Sequence, residues 1–134
     1  MSEEQSYPSV EELVSRSRAA QKQIEFMTQE QADAAARAIL KVVYDNAEEL
    51  GPQAAVESRM GKKADKIAKC RNKSSLIWQF LKDKKSVGVI SRDDEHHMYE
   101  VAKPMGVVAA VIPSTNPVVT PMCNAAYALK TRNS

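Results

Sequence analysis

The sequence is poor in aromatic residues, which make up 5% of its 134 positions, and it holds only four glycines and two cysteines. Cys70 and Cys123 are far apart and outside any Cys-x-x-Cys spacing, so a disulfide scaffold and a cysteine-rich zinc site are both excluded, and the two read as reduced thiols. No stretch approaches the ~18 apolar residues of a membrane span. Residues 1–9 are polar and acidic, without the basic and apolar regions of a secretory signal. These absences predict a cytoplasmic protein that does not meet a membrane. No Gly-x-Gly-x-x-Gly follows a strand-like run, so the ordinary dinucleotide fingerprint is missing. What is present, 43% hydrophobic and 27% charged residues, is an ordinary globular mix, enough at this length for one domain or part of a larger one.

The net charge of +2 conceals an asymmetry. Residues 1–58 hold 5 basic and 11 acidic side chains, 59–85 hold 10 and 2, and the remainder 4 and 4. Lys62, Lys63, Lys66, Lys69 and Lys73 recur at a helical period and share one face. Such a stripe suits an anionic partner, but it is equally the solvated side of a helix. The nearby Trp78 and Phe80 fall among apolar neighbours rather than on the basic face, which argues against nucleic acid.

From residue 8 to residue 85 apolar side chains recur at three and four, the mark of packed amphipathic helices. The first helix spans 10–24, with Ser9 and Glu12 as a capping box, and the second begins at Thr28 with Gln31 in the matching position. Its apolar face runs through Ala32, Ala35, Ala36, Ile39, Val43, Ala47 and Leu50, and Gly51 reads as its end. Pro52 then suits the first turn of a short helix closed by Gly61. The fourth helix spans 62–82, with Ala64, Ile67, Ala68, Leu76, Ile77, Phe80 and Leu81 inward. At Ser86 the period becomes strand-like: 87–90 and 98–102 predict a ribbon joined by an exposed connection, 92–97. Residues 105–112 lack alternation, as a strand buried on both faces of a parallel sheet would, and Pro113 halts them before a helix over 118–131.

The chemistry is expected at 112–117. A strand that ends in a short polar loop and feeds a helix presents backbone N–H groups at the sheet's carboxyl edge, where α/β proteins bind ligands. Asn116 suits a neutral oxyanion donor held between Pro113 and Pro117; the plainer alternative is that Ser114, Thr115 or Asn116 merely caps the helix.

The run Glu100-Val-Ala-Lys-Pro-Met-Gly-Val-Val-Ala-Ala-Val-Ile-Pro-Ser-Thr-Asn-Pro117, with Ala126-Tyr-Ala-Leu-Lys-Thr-Arg-Asn133 after it, resembles the CoA-acylating aldehyde dehydrogenases. Arg18-Ala-Ala-Gln21, Glu57-Ser-Arg-Met-Gly61, Asp65-Lys-Ile67 and Ser86-Val-Gly-Val-Ile90 match the same pattern in the same order. The resemblance implies an α/β, aldehyde dehydrogenase-like N-terminal fragment: a helical region (1–85), a β-ribbon assembly arm (86–103) and the start of the dinucleotide-binding domain (104–134). It implies NAD or NADP as cofactor, coenzyme A as co-substrate, a small-molecule aldehyde as substrate, and a homo-oligomer assembled through the ribbon. Ile112, Pro113, Ser114 and Thr115 would line the nicotinamide site, and Asn116 would be the side-chain half of the oxyanion hole. Non-acylating members carry an aromatic residue at the position of Thr115, so the small side chain points to the acylating branch. Neither Cys70 nor Cys123 matches the family's nucleophile, so the 134 residues alone are expected to be catalytically incomplete.

Asp93, Asp94, Glu95, His96 and His97 resemble a metal cluster in composition, but neighbours on a strand face opposite ways, so no metal site is expected. Two other classes of function remain open at this level: a helical module using 62–82 on an anionic partner, and a docking role for the amphipathic helix 9–24.

Overall fold

A computed structural model describes residues 7–134, so most of the polar start read over 1–9 lies outside the described residues. Five helices, α1 (Val10–Ile24), α2 (Gln29–Asp45), α3 (Ala47–Ser58), α4 (Lys63–Leu81) and α5 (Val119–Lys130), accompany one antiparallel ribbon of β1 (Gly88–Asp93) and β2 (Met98–Ala102). The helix starts follow the capping signals. Ser9 accepts the Glu12 N–H at 3.2 Å, and at α2 both halves of the box form: Gln31 N–H donates to Thr28 Oγ1 (3.2 Å) and Thr28 N–H to Gln31 Oε1 (2.9 Å).

Gly51 does not end α2. The helix stops at Asp45, and Asn46 serves both sides, donating its side-chain amide to the Val42 carbonyl (2.8 Å) while its own carbonyl receives the Leu50 N–H (2.9 Å) of α3. Gly51 lies buried inside α3 where α4 crosses it, and a Cβ there would stand 2.7 Å from the Ile67 nitrogen. The glycine serves close approach rather than a turn. Pro52 falls in the second turn of α3, not the first, and Arg59 rather than Gly61 takes the left-handed C-cap (φ 52°).

The core joins α2, α3, α4 and α5: Leu40, Ala47, Cys70, Val119, Met122 and Ala126 are buried together, with Ile67, Ile77 and Trp78 packed on them. The inward stripe of α4 is therefore Ile67, Cys70, Ser74, Ile77 and Leu81, while Ala64, Ala68, Leu76 and Phe80, expected inside, are exposed, the last two at 58% and 64%. Ser74 is tolerated inside because its hydroxyl donates to the Cys70 carbonyl (2.8 Å) and lies 3.0 Å from Met122 Sδ, so no polar group is stranded.

The ribbon forms as expected, pairing Gly88 with Ala102 and Asp93 with Met98, with an irregularity between Val89 and Ser91. Its Val89, Met98, Tyr99 and Val101 are exposed. The strand expected over 105–112 is not formed. The segment runs without regular pairing, and Met105 and Val111 are 92% and 93% exposed. A buried strand needs neighbours on both edges, and among the described residues only Ser134 pairs with its backbone, donating to the Gly106 carbonyl (3.2 Å) and accepting the Val108 N–H (2.7 Å), the bonding pattern of one parallel pair. Asn133 anchors the start of the segment by accepting the N–H groups of Met105 (2.6 Å) and Gly106 (2.9 Å). Arg132 ties the same region to α1 and the ribbon through the carbonyls of Glu25 (2.7 Å) and Ala102 (3.0 Å). No helix among the described residues is long and apolar enough to cross a membrane.

Candidate active site

The turn after the 105–112 segment is closed by the Asn116 N–H on the Pro113 carbonyl (3.2 Å), and α5 begins three residues later, with Pro121 in its first turn. Prolines at 113 and 117 limit the backbone on both sides of Asn116. The Asn116 amide donates one bond to Thr120 Oγ1 at 2.9 Å, which fixes the side chain against the first turn of α5 and leaves a second N–H unused. No side chain caps α5, so the capping alternative is not realised by Ser114, Thr115 or Asn116. Pro113, Ser114 and Thr115 are exposed, and Asn116 is half-buried. Ile112, 38% exposed, lines a groove of about 270 Å³ with Val108, Ala110, Pro121, Asn124 and Ala128.

Two partners of this loop were not tied to it in the sequence reading. Thr120 is one. The other is Lys66, whose ammonium donates to the Thr115 carbonyl at 3.1 Å and so brings the basic face of α4 onto the loop. A separate cleft of about 290 Å³ between α2 and α4, lined by Arg37, Lys41, Tyr44 and Trp78, does not touch this site.

Neither thiol is prepared for nucleophilic attack. Burial pushes the Cys70 thiol above its ordinary pKa against a smaller opposing effect of Lys69 and Lys66, and burial does the same at Cys123 against Lys73. A raised pKa leaves less thiolate at neutral pH, the reverse of what an attacking cysteine needs. In the acidic cluster His96 is occupied with Asp93, and His97 takes a left-handed conformation (φ 53°) in the hairpin turn. The two histidines thus sit in the turn itself, not on a strand.

The sequence pattern described as the aldehyde dehydrogenase family matches residues 2–134. The chain belongs to the aldehyde dehydrogenase family. It is 52% identical over 126 residues to the succinate-semialdehyde dehydrogenase (acetylating) of Clostridium kluyveri, an alignment that covers 94% of this chain and 28% of that protein. With a sulfoacetaldehyde dehydrogenase of an Acholeplasma species it shares 40% identity over 123 residues, 90% of this chain and 25% of the other. The crystal structure of a probable aldehyde dehydrogenase from Listeria monocytogenes superposes with a TM-score of 0.88 at 36% identity, over 93% of this chain and 28% of that one. The chain thus spans about a quarter of the length of these three proteins, and the resemblance to acylating members read from the Pro104–Pro117 region extends over nearly all of the chain.

Proposed function

We propose that this chain is the N-terminal part of an NAD(P)-dependent, CoA-acylating aldehyde dehydrogenase, which forms acyl-CoA from an aldehyde, coenzyme A and NAD(P). The observation that carries the reading is Asn116: a neutral amide, clamped to Thr120 at 2.9 Å, with one donor left at the mouth of an exposed turn. Such a preorganised donor stabilises the oxygen of an aldehyde as negative charge gathers on it, without reorganising during the reaction. The exposed turn and the groove beside Ile112 suit the nicotinamide end of the cofactor, with Ile112, Pro113, Ser114 and Thr115 as its contacts. NAD(P), when bound, supplies the hydride acceptor. In this reading residues 104–134 begin the dinucleotide-binding domain, and the exposed ribbon residues Val89, Met98 and Val101 pack on a second subunit. The relatives' names bear on the aldehyde, since succinate semialdehyde and sulfoacetaldehyde both carry an anionic group.

The 134-residue chain alone forms no acyl-CoA, because neither of its thiols fits the role of nucleophile. In the complete dehydrogenase that carries this segment, Asn116→Ala lowers kcat by roughly 10²–10³, the loss measured for one oxyanion donor. Robust NAD-dependent acyl-CoA formation by the purified chain, or an Asn116→Ala enzyme of normal kcat, would defeat the reading.

A further inference from the structure

We infer that the basic face of α4, with Lys66 at its centre, is the subsite for the anionic end of an acidic aldehyde, one whose far end carries a carboxylate or sulfonate. This rests on the reading of the 112–117 turn as the aldehyde site and adds the class of substrate to it. Four observations converge. The Lys66 ammonium is 3.1 Å from the Thr115 carbonyl, one residue from the oxyanion donor. Thr115 directly precedes Asn116, so the ammonium is anchored on the backbone beside the oxyanion donor. An ammonium has three donors; the carbonyl takes one and leaves two for a ligand.

The stem of Lys66 is half-buried beside the α3–α4 turn, where even a Cβ on Gly61 would meet its Cε at an ordinary contact distance of 3.4 Å. The stripe continues along the same side, since Lys66, Lys69 and Lys73 are three and four residues apart in α4, the spacing of one helical face. Finally, the charges stand where a helix disfavours them. Lys62 is the N-cap of α4, and Lys63 and Lys66 follow within its first turns, at the positive end of the macrodipole. Among the described residues none of Lys62, Lys63, Lys66, Lys69 or Lys73 forms an ion pair. Lys66, an unpaired cation bonded to the substrate loop with further lysines on its own face of the helix, is the arrangement an incoming anion completes.

The test uses the complete dehydrogenase that carries this segment and compares kcat/KM for succinic semialdehyde with that for butanal, which lacks the carboxylate. The wild type prefers the acidic aldehyde, and the preference weakens as salt is raised. Lys66→Met lowers the acidic-to-neutral ratio about 10- to 100-fold, the size of one hydrogen bond to a charged group, and Lys66→Arg restores most of it. Lys69→Gln gives a smaller loss of the same sign. Equal losses for both aldehydes in Lys66→Met would make this lysine a positioning residue for the loop and overturn the proposal. An unchanged ratio with a raised KM for coenzyme A or NAD would assign the stripe to nucleotide phosphates and overturn it too. Failure to turn over any aldehyde would defeat the dehydrogenase reading itself, an outcome distinct from a lost preference.

Discussion

Replacing Gly51 by alanine sets two helix effects against each other, and the structure decides which wins. In an exposed helix interior the change stabilises by about 1 kcal/mol, because alanine loses less backbone entropy. At Gly51 the new Cβ would stand 2.7 Å from both Cγ1 and the backbone nitrogen of Ile67 and 2.9 Å from its Cα. Carbon–carbon contacts are comfortable at about 3.5–4.0 Å, so α3 and α4 must part by roughly 1 Å. Two of the three atoms are backbone or bound directly to it and cannot swing aside. Overpacking of this kind costs about 1–3 kcal/mol, and a backbone clash belongs at the upper end. Subtracting the propensity gain leaves Gly51→Ala less stable by about 2 kcal/mol. Urea denaturation of the chain, followed by far-ultraviolet circular dichroism, reads this as a lower midpoint. Gly51→Asn separates the two roles a glycine can have: close approach makes asparagine worse than alanine, whereas a left-handed helix stop makes it milder. A stabilised Gly51→Ala, or an asparagine variant less damaged than the alanine one, would refute the close-approach argument.

Two further perturbations probe the framework around the site. Lys130, 2% exposed, pairs with Asp33, so Asp33→Ala strands a buried ammonium and lowers stability by about 3–5 kcal/mol, whereas the double variant Asp33→Ala/Lys130→Met recovers much of that; equal losses in single and double variants would show that the pair has no coupling. Asp93 accepts the His96 N–H at 3.0 Å and lies 2.9 Å from His96 Nδ1, contacts that hold its carboxyl below the ordinary carboxylate pKa. A depressed pKa means that the stabilisation is present above about pH 3.9 and disappears as pH falls through the lowered value. Protection of the His96 amide, its exchange rate measured against that of an unstructured amide at the same pH, should therefore fall in acid and lose that step in Asp93→Asn; protection that stays constant across the carboxylate range would contradict the contact.

Local signals in the sequence transferred well to the structure. Ser9 and Thr28 start their helices as their side chains require, the change from helical to alternating period at Ser86 marks the ribbon, and the turn at Pro113–Asn116 is where the punctuation puts it. Each depends on residues a few positions apart, whose hydrogen bonds close within the segment. The family likewise follows from contiguous residues, Pro104–Pro117 above all.

What failed depends on residues far apart in the chain. Hydropathy places Leu76 and Phe80 inside α4, yet α5 meets the stripe through Cys70 and Ser74, because a hydroxyl that bonds Cys70 and Met122 can be buried, while the Phe80 ring on the other side stays exposed under the Lys84 ammonium, 4.9 Å from its centroid. Gly51 looks like a terminator until Ile67 is known to cross it. Residues 105–112 have the composition of a central strand, but a strand is a relation between neighbours, and beside this one the described residues supply only Ser134. Lys66 reads as one solvated lysine in a stripe until α4 is laid against the loop. By itself, then, the sequence determined the starts of α1 and α2, the ribbon, the turn that holds Asn116 and the family; the tertiary structure alone decided which glycine is a contact, which face of α4 is core and that Lys66 reaches that turn, since those are set by distances between segments that no local pattern encodes.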